Sequence, residues 1–110
     1  MKFAIPLANG KLTAHFGHCQ EFALVEVEDN QILKKETLVP PPHEPGVLPS
    51  WLHQLGTNVV IAGGMGQRAV SLFGEKGIKV VTGAPSLEPE ELVNSYLNQT
   101  LQTGANVCDH

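Results

Sequence analysis

From residue 58 onward, short runs of β-branched and apolar residues alternate with helical patterns, and this alternation constrains the fold more than any other feature of the chain. Residues 58–62 (Asn-Val-Val-Ile-Ala) read as a buried strand that runs into Gly63-Gly64-Met65-Gly66. Ala69, Val70, Leu72 and Phe73 then supply the apolar side of a helix ending near Gly74 or Gly77. Residues 78–82 form the next strand, broken by Gly83-Ala84-Pro85-Ser86. A last helix starts near Glu88-Pro89, buries Leu92, Val93, Tyr96, Leu97 and Leu101, and is expected to end at Gly104. Crossover helices of this kind require parallel neighbouring strands.

The first half reads differently. Residues 2–7 place Phe3, Ile5 and Leu7 on one face and Ala4 on the other, as in a strand covered on both sides, and Pro6 suggests that pairing stops there. Asn9-Gly10 is a turn signal, and residues 11–20 have no period, so a loop is expected. Residues 22–28 and 31–39 make a hairpin around Asp29-Asn30. The proline-rich stretch 40–46 cannot continue a sheet, and Leu48, Trp51, Leu52 and Leu55 mark a short amphipathic helix with Pro49 in its first turn. The expected order is β-β-β-α-β-α-β-α, an α/β fold with a mixed five-stranded sheet between helices. One domain over residues 1–104 and a short tail, 105–110, are expected.

Composition excludes several functions. With 42% hydrophobic and 16% charged residues over 110 positions, the chain has the material for a packed core. Seven Lys and Arg against eleven Asp and Glu leave a net charge of -4, which disfavours nucleic acid and anionic membranes as partners. No apolar run approaches the roughly 18 residues that span a bilayer, and no signal-peptide pattern opens the chain, so a cytoplasmic protein is expected. Two cysteines are too few for a disulfide framework and suit thiols or metal ligands in a reducing compartment.

Candidate chemistry gathers in three places. His15-Phe16-Gly17-His18-Cys19 follows the first strand, where open α/β sheets usually bind ligands, and imidazole with thiolate suits soft transition metals and metal–sulfur clusters. The plain alternative is a core Phe16, a turn at Gly17 and two surface histidines. The tail, Val107-Cys108-Asp109-His110, carries the same ligand types, and Cys108 with His110 could close over the loop. Gly63, Gly64, Met65 and Gly66, joined to a helix that carries Arg68, would aim backbone N–H groups and a positive dipole end at an anion. Residues 64–69 also match the G-x-G-x-x-A dinucleotide pattern, but the ribose-binding acid expected at the end of the next strand is replaced by Thr82-Gly83. His43 and His53 have weaker claims, the latter as a side chain reaching out from the core edge, and Met65 could be a soft ligand or a cluster contact.

Taken together, the first loop, the Gly63-Gly64-Met65-Gly66-Gln67-Arg68-Ala69 turn and the closing Cys108-Asp109-His110 resemble the dinitrogenase iron-molybdenum cofactor biosynthesis family across nearly the whole chain. The resemblance implies a three-layer ribonuclease H-like fold. It also implies the handling of metal–sulfur clusters, since the family includes carriers of iron-molybdenum cofactor or its precursors and the orange protein with its molybdenum-copper-sulfur cluster. Nuclease chemistry is not expected, because the first strand lacks the carboxylates that would hold two metal ions.

The leading expectation is therefore a nitrogenase-related binding protein, not an enzyme, that carries an anionic iron–sulfur or molybdenum-containing cluster and exchanges it with donor or acceptor proteins. His15, His18, Cys19, Cys108 and His110 would be metal ligands; Gly63, Gly64, Met65, Gly66 and Arg68 would contact the cluster. The alternative is a mononuclear metal module or sensor without sulfide. A third reading, a thiol enzyme with Cys19 activated by His15 or His18, needs an oxyanion site as well.

Overall fold

A computed structural model describes residues 1–13, 16, 19–42, 46–101, 103 and 104. Its central strand, β1 (Lys2–Ala8), is buried from Phe3 to Leu7 and has partners on both sides. A two-residue strand, β2 (Lys11–Leu12), returns antiparallel to β1, pairing Leu7 with Leu12 and Ala8 with Lys11. β3 (Glu21–Glu28) lies antiparallel to β1 and continues through a tight turn into β4 (Gln31–Leu38). Three helices, α1 (Val47–Gln54), α2 (Gln67–Glu75) and α3 (Pro89–Leu97), alternate with β5 (Val59–Ile61) and β6 (Lys79–Val81). The main path across the sheet is β4-β3-β1-β5-β6, with β1, β5 and β6 parallel.

The sheet therefore has six strands among the described residues, not the expected five. The extra one lies in the segment expected to be a loop. Asn9 and Gly10 both have positive φ, 57° and 82°, as a two-residue hairpin turn of the kind that matches strand twist requires. Pro6 also fails to end β1, whose pairing reaches Ala8. The carbonyls of Met1 and Leu7 serve the β3 side, whereas that of Pro6 accepts from Thr13 on the opposite side, where β5 pairing has already ended at Ala4. The donor that proline lacks is thus missing where β5 does not ask for one.

The alternation expected for β1 sorts the core into two layers. Phe3, Ile5 and Leu7 pack with Val25, Ile61 and the α3 residues Leu92 and Val93. Ala4 faces the opposite way, with Phe22, Leu24 and Val60, under Leu48 and Leu52 of α1 and Phe73 of α2. Helices therefore cover both faces, and the sheet contributes apolar side chains to each. An exposed ion pair between Lys35 and Glu90, 3.1 Å, joins β4 to the first turn of α3.

α3 stops at Leu97 rather than at Gly104. Its end repeats the hydrogen-bond pattern that closes α1 and α2: the N–H of Gln99 donates to Tyr96 and that of Thr100 to Ser95, as Gly56 and Thr57 donate to His53 and Leu52, and as Gly77 and Ile78 donate to Gly74 and Phe73. Glycine occupies the left-handed position in the first two helices. In α3 that position holds Gln99, with φ of 60°, so no glycine signals the stop. Leu101 still packs on the α3 layer, beyond the helix.

Two stability predictions follow from these positions. Gln99→Gly removes the steric cost of a left-handed L-residue, about 1–2 kcal/mol, while adding chain entropy to the unfolded state, so a net gain of about 0.5–1 kcal/mol is expected in urea unfolding. Thr57, 5% exposed, has a buried hydroxyl without a hydrogen-bond partner. Thr57→Val should raise stability by up to about 1 kcal/mol in the same assay; a loss would mean that the hydroxyl is satisfied in solution.

Candidate functional site

Because β1, β5 and β6 are parallel, the segments that follow them open at one edge of the sheet. Backbone hydrogen bonds lace these segments together. The Phe16 N–H donates to the Gly64 carbonyl at 2.9 Å, the Gly83 N–H to Gly63 at 2.6 Å, and the Gly104 N–H to Gly83 at 2.7 Å. Leu12 donates to Leu87 at 3.1 Å, and the Ser86 hydroxyl donates to the Leu12 carbonyl at 2.8 Å. The first loop, the glycine turn, the β6–α3 turn and the root of the C-terminal segment thus form one connected rim.

Phe16 is packed among aromatic rings beneath this rim. Its ring meets Phe22 and Phe73 edge to face, with centroids 5.7 Å away in each case, and Phe22 meets Trp51 at 5.6 Å. Cys19 sits beside these rings, 7% exposed, and its N–H reaches back to the Phe16 carbonyl at 3.3 Å. Burial pushes the Cys19 thiol up from its ordinary 9.0 to about 11, against a smaller opposing pull from a backbone hydrogen bond. At neutral pH it is a protonated thiol, so a soft metal must displace the proton to bind there.

Of the other expected ligands, His15, His18, Cys108 and His110 lie outside the described residues, as does His43. Among the described residues no three His, Cys, Asp or Glu side chains gather as a metal group. His53 is exposed on α1. Met65 is not an exposed loop residue: it is 0% exposed and packs with Phe16, Cys19, Phe22 and Phe73. An apolar, flexible side chain directly after Gly63-Gly64 is drawn inward because the gap beneath the turn must be filled.

The glycine turn does lead into a helix N-terminus. Gly66 caps α2 in an extended conformation, with no side-chain cap and no acidic residue in the first turn, and Arg68 is exposed. Backbone N–H groups and the helix dipole therefore act at this end without a competing carboxylate. In the sequence Gly83 reads as part of a strand break, yet in the structure it bonds to both the glycine turn and Gly104. Its crowding is a tertiary fact with no periodic signature.

The fold and rim define an α/β architecture whose open sheet edge is built from a Cys-containing loop and glycine turns. A family model described as dinitrogenase iron-molybdenum cofactor matches residues 1–99, and the chain belongs to that family. An uncharacterized protein of Methanocaldococcus jannaschii, MJ0580, is 32% identical over 107 residues, covering 93% of this chain and 90% of that one. The crystal structure of PH0822 is similar with a TM-score of 0.87 at 28% identity, covering 94% of each chain. The apo form of the orange protein from Desulfovibrio gigas shares the fold, with a TM-score of 0.75 at 21% identity over 96% of this chain and 93% of that one. No helix among the described residues is long and apolar enough to cross a membrane.

The raised thiol gives a pH prediction for metal-free protein. Alkylation of Cys19 by iodoacetamide, followed on its own peptide by mass spectrometry, should be roughly a hundredfold slower at pH 8 than for an ordinary thiol and should keep rising with pH toward about 11. A rate that levels off near pH 7 would instead reveal an activated thiolate.

Proposed function

We propose that this protein holds an anionic metal–sulfur cluster at the carboxyl edge of the sheet and passes it on as cargo, without catalysing a reaction. The observation that carries this reading is the backbone chain from Phe16 through Gly64 and Gly63 to Gly83 and Gly104. It ties the flanks of both ligand-bearing stretches to the same helix N-terminus. Cys108 is four residues beyond Gly104, a reach of up to about 14 Å.

In this reading His15, His18 and Cys19 supply ligands from the loop, and Cys108 and His110 supply them from the tail. Gly63, Gly64 and Gly66, with Arg68, offset the cluster's negative charge through backbone N–H groups, the helix dipole and a guanidinium. Met65, buried as it is, supports the turn from beneath rather than reaching the cargo. The donor set fits a soft metal: Cys19 offers sulfur on an apolar floor, and imidazoles complete a borderline-soft shell. Iron and molybdenum are the metals that the family description suggests, and exchange partners would be cluster donors or acceptors in a cytoplasmic setting. We further read the sheet with helices on both faces as the ribonuclease H-like arrangement that the family resemblance implies.

Anaerobic reconstitution with ferrous iron and sulfide, with and without molybdate, tests the reading. Visible absorption with stoichiometric acid-labile sulfide is expected, and His18→Ala or Cys19→Ser should each lower retention at least about tenfold, since even losing a residue that orients a ligand costs that much. Unchanged metal content in both variants would remove the proposed site. Metal bound without sulfide would favour the mononuclear module in its place.

A further inference from the structure

β4 closes one side of the sheet, and among the described residues no strand pairs with its outer edge. Alternation fixes which of its backbone groups lie there. Pro6 stands opposite Phe22 and has no N–H to donate, so the two form a non-hydrogen-bonded pair in the β1–β3 ladder. Phe22, Leu24 and Glu26 therefore turn their N–H and C=O groups toward β4, where Leu38, Glu36 and Lys34 meet them. Lys35 and Thr37, the residues between, turn theirs outward.

The side chains along this edge follow a pattern of charge. On the face that carries Ala4 and Leu24, one row across the sheet reads Lys2, Glu26, Lys34, with the sign alternating at each strand. The row stops at Lys34, where a further strand would next place an anion. The adjacent row, Ala4, Leu24, Glu36, stops at a carboxylate. Lys34 and Glu36 are 63% and 48% exposed and lie 3.7 Å apart, neighbours along the strand. On the opposite face Lys35 already has a counter-ion: its ammonium lies 3.1 and 3.2 Å from the two carboxylate oxygens of Glu90. Leu33, 58% exposed, leaves a large apolar side chain in water on the same strand.

We infer that the outer edge of β4 is a self-association surface whose occupant is β4 of a second copy, antiparallel, with the two-fold axis passing through Lys35. An axis normal to the sheet keeps each residue on its own face, so paired positions are equally spaced about the residue on the axis. With Lys35 there, each Lys34 meets Glu36 of the other copy, and the row Lys2, Glu26, Lys34 continues with its signs still alternating. An axis on Lys34 or Glu36 would oppose like charges, and one on Thr37 would set Glu36 against Leu38. The outward backbone groups of Lys35 bond to their own counterparts, and Leu33 is covered by Thr37 of the other copy. The two Lys35 ammonium groups are each drawn away from the axis by Glu90. Edge lysines ordinarily discourage pairing; here Lys34 meets a carboxylate in one register alone, so it selects the partner. The contact uses no residue of the proposed cluster site, and the symmetry points the two carboxyl rims in opposite directions.

Sedimentation equilibrium of the full chain at low ionic strength, up to about 1 mM, reads the surface directly. A monomer–dimer equilibrium is expected, loosening as salt screens the exposed charges. Lys34→Glu and Glu36→Lys each oppose like charges at two places and should weaken the dimer at least about tenfold. The double variant Lys34→Glu, Glu36→Lys restores both pairs with their signs exchanged and should recover to within about threefold of wild type. Thr37→Pro removes an outward N–H that the monomer leaves to water, so it should keep the circular dichroism of the fold while weakening the dimer at least about tenfold.

Wild-type protein that stays monomeric at the highest concentration, or a dimer indifferent to the single reversals, would overturn the surface. A double variant no tighter than the single ones would overturn the register, and growth beyond two copies would overturn the closed pair.

Discussion

Parallel pairing of β1, β5 and β6 is the constraint from which the rest of the molecule follows. A parallel neighbour can be reached only by crossing back through a helix, so the segments after all three strands must emerge at the same edge. At that edge the backbone groups that leave the sheet still need partners, and they find them in one another: Phe16 in Gly64, Gly83 in Gly63, Gly104 in Gly83. The rim is thus the sheet's own hydrogen bonding continued in irregular form. A stretch near the start of the chain and one near its end are linked by this continuation of backbone hydrogen bonds.

Beneath the rim lies an apolar floor in which Phe16 is seated. Phe16, Phe22 and Phe73 interlock edge to face, and Cys19 and Met65 fill the spaces around them. The arrangement has an electrostatic consequence. A thiol held against aromatic rings keeps its proton above neutral pH, so little of the nucleophilic thiolate is present there. The sulfur becomes a strong donor when a cation takes the proton's place.

Most elements could be read from residue patterns because they are local in origin. The alternation Phe3, Ile5, Leu7 against Ala4 gave the two faces of β1, and Leu48, Leu52 and Phe73 marked the inward sides of α1 and α2. The failures have equally local reasons. β2 has two residues, too few to show a period, although Asn9-Gly10 carries the hairpin signal. The stop of α3 was missed because Gln99 takes the left-handed position that glycine fills in α1 and α2. Pro6 misled because its effect depends on which side of β1 lacks a partner.

The amino-acid sequence by itself determined the α/β class, the order of the main strands and helices, and the edge of the sheet at which the glycine turn lies. Side-chain periodicity and turn chemistry encode these features within a few residues of where they occur. Only the tertiary structure decided that Met65 points inward, that the Cys19 thiol is shielded from water, and that Gly83 and Gly104 come face to face. Burial and backbone crowding depend on elements distant along the chain, and a glycine required for space looks, in a sequence, like a glycine required for a turn.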